Sequence, residues 1–495
     1  MKTNWLLLLC FLSFLAKAQE PLYNYSFFTN SRMSGNYFYS QTRVTAPSAV
    51  RNIASRLPVS DSNAHTPGYA LVLDFVNAAK GSWQVFVVKP EIRGQDHFCK
   101  PEVVSVWVYQ EEAVKPAELP YVQLMRRDSS FSEKVALSTR KTGVWEQVLI
   151  PVKAFGIDLE KGPSAVSAIV FSQKGSDNQR HLLLLDDIEF TTMGAAGSIS
   201  IRPVLGSARG YERHVDLQWT AVTDTAVRYI KIYRSTDNRI FHPAGIQSVW
   251  INRYADYTGE TDKTYHYRIA FLDKNYKETS PSPALAATTR PLSDSALMTM
   301  VQEAQFRYYW EGAEAASGLA KENIQGRHSM VASGASGFGI MALLVGAERG
   351  FITRQQLTER FIRITGFLQK AATFHGAFPH FIDGPTGKVE PFFGKRDNGG
   401  DLVETSFLVQ GLLAARAYFN RDTEEEKQIR NAITSIWEKI EWDWYRQYPD
   451  SKFLYWHWSP DQGWVINHNL IGWNETMVTY LLAIASPTHS IPASM

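Results

Sequence analysis

Asp397, Asp401 and Glu404 bring three carboxyl groups together around the glycine pair Gly399 and Gly400. The glycines are expected to let the chain turn tightly into a helix starting near Leu402. Asp401 and Glu404 are three apart, so their side chains share one helix face while Asp397 approaches from the loop. Grouped carboxyls of this kind can pass a proton to a bond that is breaking. The same spacing also describes a capping box, in which Asp401 closes on the amide of Glu404 and Glu404 reaches back. Spacing leaves both readings open; Asp397 and the glycines favour a site.

A second group lies downstream in Trp456, His457, Trp458, Trp464, His468, Trp473, Asn474 and Glu475. Seven of the chain's 14 Trp fall between Trp437 and Trp473. A helical core does not need so many indoles, each with an N–H that must find a partner when buried. Flat aromatic faces beside His, Asn and carboxyl groups suit sugar rings, which offer apolar C–H faces and hydroxyl edges. Trp437 and Trp442 are expected in the core, and Trp456, Trp458 and Trp464 facing a cleft. His375 and His380, with Asp383, invite a metal reading. Pro379 breaks any helix between them and the spacing fits no zinc pattern, so hydrogen bonding to substrate is the better expectation. Ser336 lacks a nucleophile elbow, and no phosphate-binding or dinucleotide loop occurs.

These residues need a scaffold, and the pattern along the chain changes twice. Tyr69 to Val76, Trp83 to Val88, Val103 to Tyr109 and His181 to Phe190 read as short strands, which predicts a two-sheet sandwich over residues 19–192. Its ending, Leu185 to Ile188, resembles the last strand of jelly-roll carbohydrate-binding modules, and a plain spacer sandwich is an equal reading. Residues 200–290 alternate again, with Trp219 in an early strand and Tyr265 and Tyr267 in a late one, and are similar to fibronectin type III modules. From residue 293 the period becomes helical. Helices are expected at 297–315, 338–349, 354–374, 402–419, 423–445 and 472–485, the first capped by Ser293 or Asp294.

Composition narrows the function. With 51 Lys and Arg against 49 Asp and Glu the formal net charge is +2, which supplies no electrostatic footprint for nucleic acid. Aromatic residues reach 13%, and this is the excess that calls for explanation. Lys2, the apolar run Trp5 to Leu15 and the small residues Ala16 and Ala18 form a signal peptide, 1–18, with cleavage expected before Gln19. Export to the periplasm or beyond follows, with no membrane anchor after cleavage. Cleavage would leave Cys99 alone, so neither an internal disulfide nor an all-cysteine metal site is expected.

Gly337 to Thr353, His375 to His380, Gly399 to Thr405, Tyr455 to Pro460 and Gly472 to Glu475 together resemble the glycoamylase-like glycoside hydrolases, bacterial endo-β-1,2-glucanases among them. The resemblance covers residues 293–495. It implies an (α/α)6 toroid there, which with the two β-sandwiches read from the strand patterns makes a multidomain chain, and an inverting hydrolase of β-1,2-glucan without metal or cofactor. Acidic positions of the family match Asp397, Asp401, Glu404 and Glu475, with Glu475 as general acid. The residues agree: a Trp-rich, partly desolvated setting would keep Glu475 protonated, and a helix N-terminus would favour anions at Asp401 and Glu404. Inversion needs room for a water between acid and base. Only six of the toroid's helices are legible, so about half the ring is expected here. Such a fragment would expose apolar helix faces and be inactive or poorly folded alone. The alternatives are a non-hydrolytic carbohydrate-binding protein and a glucoamylase-like hydrolase of another glucan linkage.

Overall fold

The computed structural model describes residues 25–29, 35–89, 100–159, 165–194, 197–324 and 329–495. The expected signal peptide and both cysteines lie outside these residues. Within them no helix is long and apolar enough to cross a membrane. Two units of internal contact emerge, one holding Tyr25 to Glu311 with Val345 to Ile352, the other Gly312 to Leu344 with Thr353 to Met495.

The first unit opens with two antiparallel sheets. One runs Glu146–Pro151, Val103–Tyr109, Arg180–Thr191, Ala70–Val76 and Ala49–Val50, with Ser26–Phe28 and Val59–Ser60 alongside; the other runs Ser40–Thr45, Ser82–Val88, Val166–Ser172, Tyr121–Arg126 and Val135–Ala136. Strand alternation sends Leu71, Leu73, Trp83, Val85, Val104 and Phe171 into one shared core. A three-stranded sheet (Leu205–Gly210, His214–Trp219, Arg253–Tyr257) and a four-stranded sheet (His242–Ser248, Tyr229–Ser235, Thr264–Leu272, Leu285–Thr288) follow. Their core takes Val215, Leu217, Trp219, Ile230, Tyr267 and Ile269. Tyr267 is fully buried and donates its hydroxyl to Asp256 at 2.8 Å.

The described residues hold six α-helices: α1 Asp294–Trp310, α2 Ser333–Glu348, α3 Arg354–Leu368, α4 Leu402–Tyr418, α5 Glu424–Glu438 and α6 Met477–Ala485. Ser293 is the cap of α1, its hydroxyl accepting the Ala296 amide. Helix α1 packs with the sandwich unit, where Arg307 reaches Asp216 at 2.8 Å and the Tyr211 hydroxyl at 3.2 Å. Its expected apolar stripe is not inside: Leu297 and Met298 are exposed and Phe306 alone is buried. Thr353 and Gln356 form a complete capping box on α3, and Arg354 ties that helix to Glu426 of α5 through two hydrogen bonds of 2.8 and 3.1 Å.

Three helix ends differ from the periodic expectation, two because a tertiary hydrogen bond takes the backbone group the helix would need and one because of a local side-chain turn. Helix α5 stops at Glu438 rather than 445, because the Glu441 amide donates to the His375 carbonyl at 3.1 Å. Helix α3 stops at Leu368 rather than 374, and the Ala372 amide goes to the Gly387 carbonyl at 2.8 Å. Helix α6 begins at Met477 rather than 472, since Asn474 folds its own turn by accepting the Thr476 amide and hydroxyl at 3.0 and 2.7 Å. Helix α2 starts five residues early, at Ser333, on a run of small residues that lets it lie against α4. A Cβ on Gly337 would stand 2.1 Å from the Phe407 carbonyl oxygen, and one on Gly411 would stand 2.3 Å from that of Gly337.

That contact sets a test of the helix packing. Gly337→Ala forces two backbones apart and should cost about 2 kcal/mol. Gly366→Ala on α3, where a Cβ meets nothing within 4 Å, should instead gain about 0.5–1 kcal/mol by removing a flexible residue from a helix. Urea unfolding followed by tryptophan fluorescence separates the two, and an unchanged midpoint for Gly337→Ala would contradict the close approach.

Candidate active site

Helix α4 opens where the two-residue strand Gly400–Asp401 pairs with His457–Trp458. The glycines act differently from expectation, since neither Gly399 nor Gly400 takes a positive φ. Their value is closeness: a Cβ on Gly399 would fall 1.9 Å from the Trp458 carbonyl oxygen, and one on Gly400 2.2 Å from the Tyr445 hydroxyl. Missing side chains thus let the acidic segment lie flat on the aromatic one.

Asp401 is the N-cap of α4. Its Oδ1 accepts the amides of Val403 at 3.1 Å and Glu404 at 2.9 Å, and its Oδ2 accepts the indole N–H of Trp456 at 3.0 Å. The capping reading therefore holds for Asp401. It does not hold for Glu404, because the Asp401 amide already donates to the Phe378 carbonyl at 2.9 Å. The Glu404 carboxyl turns instead to the first turn of α2 and accepts the Gly334 amide. Half a capping box is present, and the other half has been released toward the neighbouring helix.

The electrostatics also depart from the expectation of anions at a helix N-terminus. Burial, the Glu404 charge and the Asp397 charge raise the Asp401 carboxyl well above the usual carboxylate range, against the pull of its amide and indole donors. Burial foremost, with Glu322 and Asp397, pushes Glu404 up to about 7 despite the Gly334 donation. Asp397 is raised to about 6 by burial, against one amide from Phe393. Desolvation here outweighs the helix dipole, whose effect is about 0.3–1 kcal/mol at exposed ends.

Two imidazoles lie among these acids. His380 stacks on Phe381 with centroids 4.0 Å apart, its nitrogens 3.8 Å from Asp401 Oδ2 and 3.9 Å from Glu404 Oε1. His457 is buried, with Nε2 3.9 Å from Asp397 Oδ1. Burial lowers both rings to about 4, His457 adding to the effect on His380, so both are neutral at pH 7. The separations are too long for hydrogen bonds. Asp397 Oδ2 and both nitrogens of His457 are buried without a partner among the described residues. Such atoms keep hydrogen-bonding capacity for a water or a ligand.

The remaining candidates divide. His375, at φ 49°, stacks on Trp444 at 3.8 Å, meets Trp458 edge-on at 4.8 Å and bonds Glu441 through Nδ1 at 2.9 Å. Trp456, Trp458 and Trp464 are half-buried, one side packed on the helical core. Trp437 is half-buried and Trp442 fully so, and Trp442 lies beyond the end of α5 rather than on it. His468 is exposed beside the Trp456 ring at 5.5 Å. Asn474 spends its side chain on the turn before α6. Trp473 is 89% exposed and Glu475 is exposed, so the desolvated setting expected for Glu475 is absent. No hydrogen bond or ion pair among the described residues joins Glu475 to the other three acids.

Sequence reasoning missed Glu441, Trp444, Glu322 and Gly334. The first two were hidden by the assumption that α5 continued to Tyr445, although acids and tryptophans alternating from Glu441 to Trp444 are unusual for a helix. Gly334 belongs to the Ser-Gly-Ala-Ser-Gly run before Phe338, now the first turn of α2. Ser336 within it is structural, donating to the Ala332 carbonyl and accepting the Ala320 amide.

The shifts fix how stability should follow pH. Glu404, raised from 4.5 to about 7, holds more proton folded than unfolded, so its contribution is full below pH 4.5 and lost as pH rises to 7. His380 and His457, lowered from 6.5 to about 4, act in the opposite sense over that lower window. Asp397 and Asp401, also raised, fall with pH in the same sense as Glu404, and Glu404→Gln removes the Glu404 share of that fall. Its stability relative to the wild type should therefore improve from pH 4.5 to 7, by about 2 kcal/mol. A difference in urea midpoints that stays flat over this range would show that Glu404 is not desolvated.

Comparisons with known proteins place this geometry. No protein-family model matches the chain. An exo-β-1,2-glucooligosaccharide sophorohydrolase (non-reducing end) of Parabacteroides distasonis is 46% identical, aligned over 100% of this chain and 70% of its own length. The crystal structure of a β-1,2-glucanase from Parabacteroides distasonis superposes with a TM-score of 0.91 at 47% identity, covering 96% of this chain and 69% of that one. A resemblance first carried by five short motifs in the helical part thus extends through the sandwiches as well, and the chain belongs to the β-1,2-glucanase family of glycoside hydrolases.

Proposed function

We propose that this hydrolase acts on β-1,2-linked glucooligosaccharides and inverts the anomeric centre, with Glu404 as proton donor and Asp397 as base. Inverting hydrolysis needs one protonated carboxyl at the leaving oxygen and one ionised carboxylate on a water. The observation that carries the assignment is the buried, unpartnered Oδ2 of Asp397, open to a water, with Glu404 close enough to feel its charge and held protonated longer than an ordinary carboxyl by burial. Asp397 Oδ2 has no donor among the described residues and is free to accept a hydrogen bond from water. Asp401, committed to the α4 cap and Trp456, positions the segment. The neutral rings of His380 and His457 offer hydrogen bonds to hydroxyls without adding charge, and His375 with Trp444 and Trp458 supplies an aromatic surface for a sugar ring.

Exo action is favoured, because the full-length relative carries that mode in its name; endo cleavage is the second reading. The motif Gly472 to Glu475 favours Glu475 as an alternative proton donor. The finer architectural reading is that α2 to α6 belong to an (α/α)6 toroid, after a jelly-roll-like sandwich and a fibronectin type III-like module. It is supported by exposed apolar residues on the helices, among them Phe338, Met341 and Leu481, which a further helical layer would cover. Export is proposed from the signal-peptide pattern of residues 1–18.

The pH profile of kcat/KM on β-1,2-glucooligosaccharides should be bell-shaped, rising through about 6 and falling through about 7. Glu404→Gln should lower kcat by about 10²–10⁴-fold and abolish the alkaline limb. Asp397→Asn should abolish the acid limb. If Glu475→Gln removes the alkaline limb while Glu404→Gln keeps it, the donor is Glu475 and the assignment fails. Chromatography of early products separates the two modes: a single disaccharide marks exo cleavage, and a ladder marks endo cleavage.

A further inference from the structure

The first sandwich carries a cluster that glucan hydrolysis does not use. Glu118 sits in the turn after the strand Val103–Tyr109, Asp177 in the loop before Arg180–Thr191, and His181 near the start of that strand. One ligating atom from each lies within 4.8 Å of the other two. We propose that Glu118, Asp177 and His181 bind a divalent transition-metal ion, zinc by the donor set, which pins the turn around Glu118 to the start of the strand Arg180–Thr191.

Two carboxylates and one imidazole are a mixed oxygen and nitrogen set. Calcium and magnesium take oxygen ligands, whereas zinc accepts carboxylate and imidazole together. Ligand atoms around a tetrahedral zinc with bonds of about 2.0–2.1 Å stand about 3.3 Å apart, so the cluster needs to contract by no more than about 1.5 Å.

The Glu118 carboxyl makes the independent case for a ligand. The residue is only 7% exposed, yet no Lys or Arg forms an ion pair with it among the described residues. Its Oε2 accepts the Asn77 side-chain amide at 2.9 Å and the Asp177 amide at 3.4 Å. A carboxylate set this far into the fold with no cationic side chain beside it is placed to take a cation as its counter-charge.

The surroundings fix that carboxyl in place. Asn77 is itself held by the Trp83 indole at 2.8 Å and donates also to the Glu118 carbonyl at 2.9 Å. A Cβ on Gly175 would stand 2.0 Å from Oε2, so the loop can pass there only as glycine. Asp177 lies 3.1 Å from His181 Nε2 and accepts the Gln179 amide at 2.9 Å. Lys174, the nearby ammonium, is engaged by the Pro116 carbonyl at 2.9 Å.

The test uses the full chain without a histidine tag, stripped with chelator and titrated with zinc chloride. The wild type should take up one equivalent that His181→Gln and Asp177→Asn bind at least about 100-fold more weakly, the upper end of what losing even an outer-shell partner costs. Its thermal midpoint should rise with zinc and fall again with chelator, while the variants, checked for folding by circular dichroism, should not respond. Zinc-edge X-ray absorption of the one-to-one wild type needs no variant and should show one imidazole with oxygen neighbours. Absence of a zinc-dependent midpoint in the wild type, an equal response in both variants, or a first shell without imidazole would overturn the proposal.

Discussion

The Asp401 carboxyl bonds to two amides at the start of α4 and to the indole of Trp456, in a place that water scarcely reaches. This arrangement joins three things that are distant in sequence: the helix start, the acidic loop and the tryptophan-rich segment. An N-cap contributes about 1 kcal/mol to a helix. Here the same contact also fixes the direction in which Glu404 leaves the helix, so the local capping energy sets the geometry of the candidate site. The burial that makes these bonds strong also makes ionisation of Asp401 unfavourable.

Small residues make the burial possible. Gly399 and Gly400 lie against Trp458 and Tyr445, and Gly334 and Gly337 bring α2 against Glu404 and α4. None of the four takes a positive φ. Their role is to leave out side chains where two backbones, or a backbone and a carboxyl, must come within van der Waals distance. Close packing then excludes solvent from the carboxyls, and solvent exclusion raises their affinity for protons. Helix packing and acid–base chemistry are in this way the same structural fact.

The contest between dipole and desolvation has a clear outcome here. Asp401 caps α4 and Glu404 meets the first turn of α2, and helix N-termini favour negative charge. Burial costs each group more than those ends return, and the carboxyls repel one another besides. Neutral imidazoles follow from the same burial, because His380 and His457 lose solvation with no close carboxylate bond to hold a proton. The result is a polar cluster in which the carboxyls hold their protons more tightly than usual and the imidazoles are neutral.

Several features were already determined by the sequence alone. Alternation at His214 to Trp219 specifies a strand with one buried face, because the side-chain period of a strand does not depend on its partners, and the β-branched and aromatic run Val103 to Tyr109 marks a strand by composition. The stripe Leu357, Phe361, Ile364 and Leu368 specifies α3 for the same local reason, and the acids at Asp397, Asp401 and Glu404 announce themselves by spacing. Tertiary structure decided what spacing could not. It decided where α5 and α3 end, since the competing hydrogen bonds come from His375 and Gly387, far along the chain. It turned Glu404 away from its own helix cap because the amide it would have reached was already bonded to Phe378. It left Glu475 and Trp473 in solvent, where motif and composition had suggested shelter. Exposure and proton affinity are sums over neighbours brought from elsewhere in the chain, and a linear pattern records only the near ones.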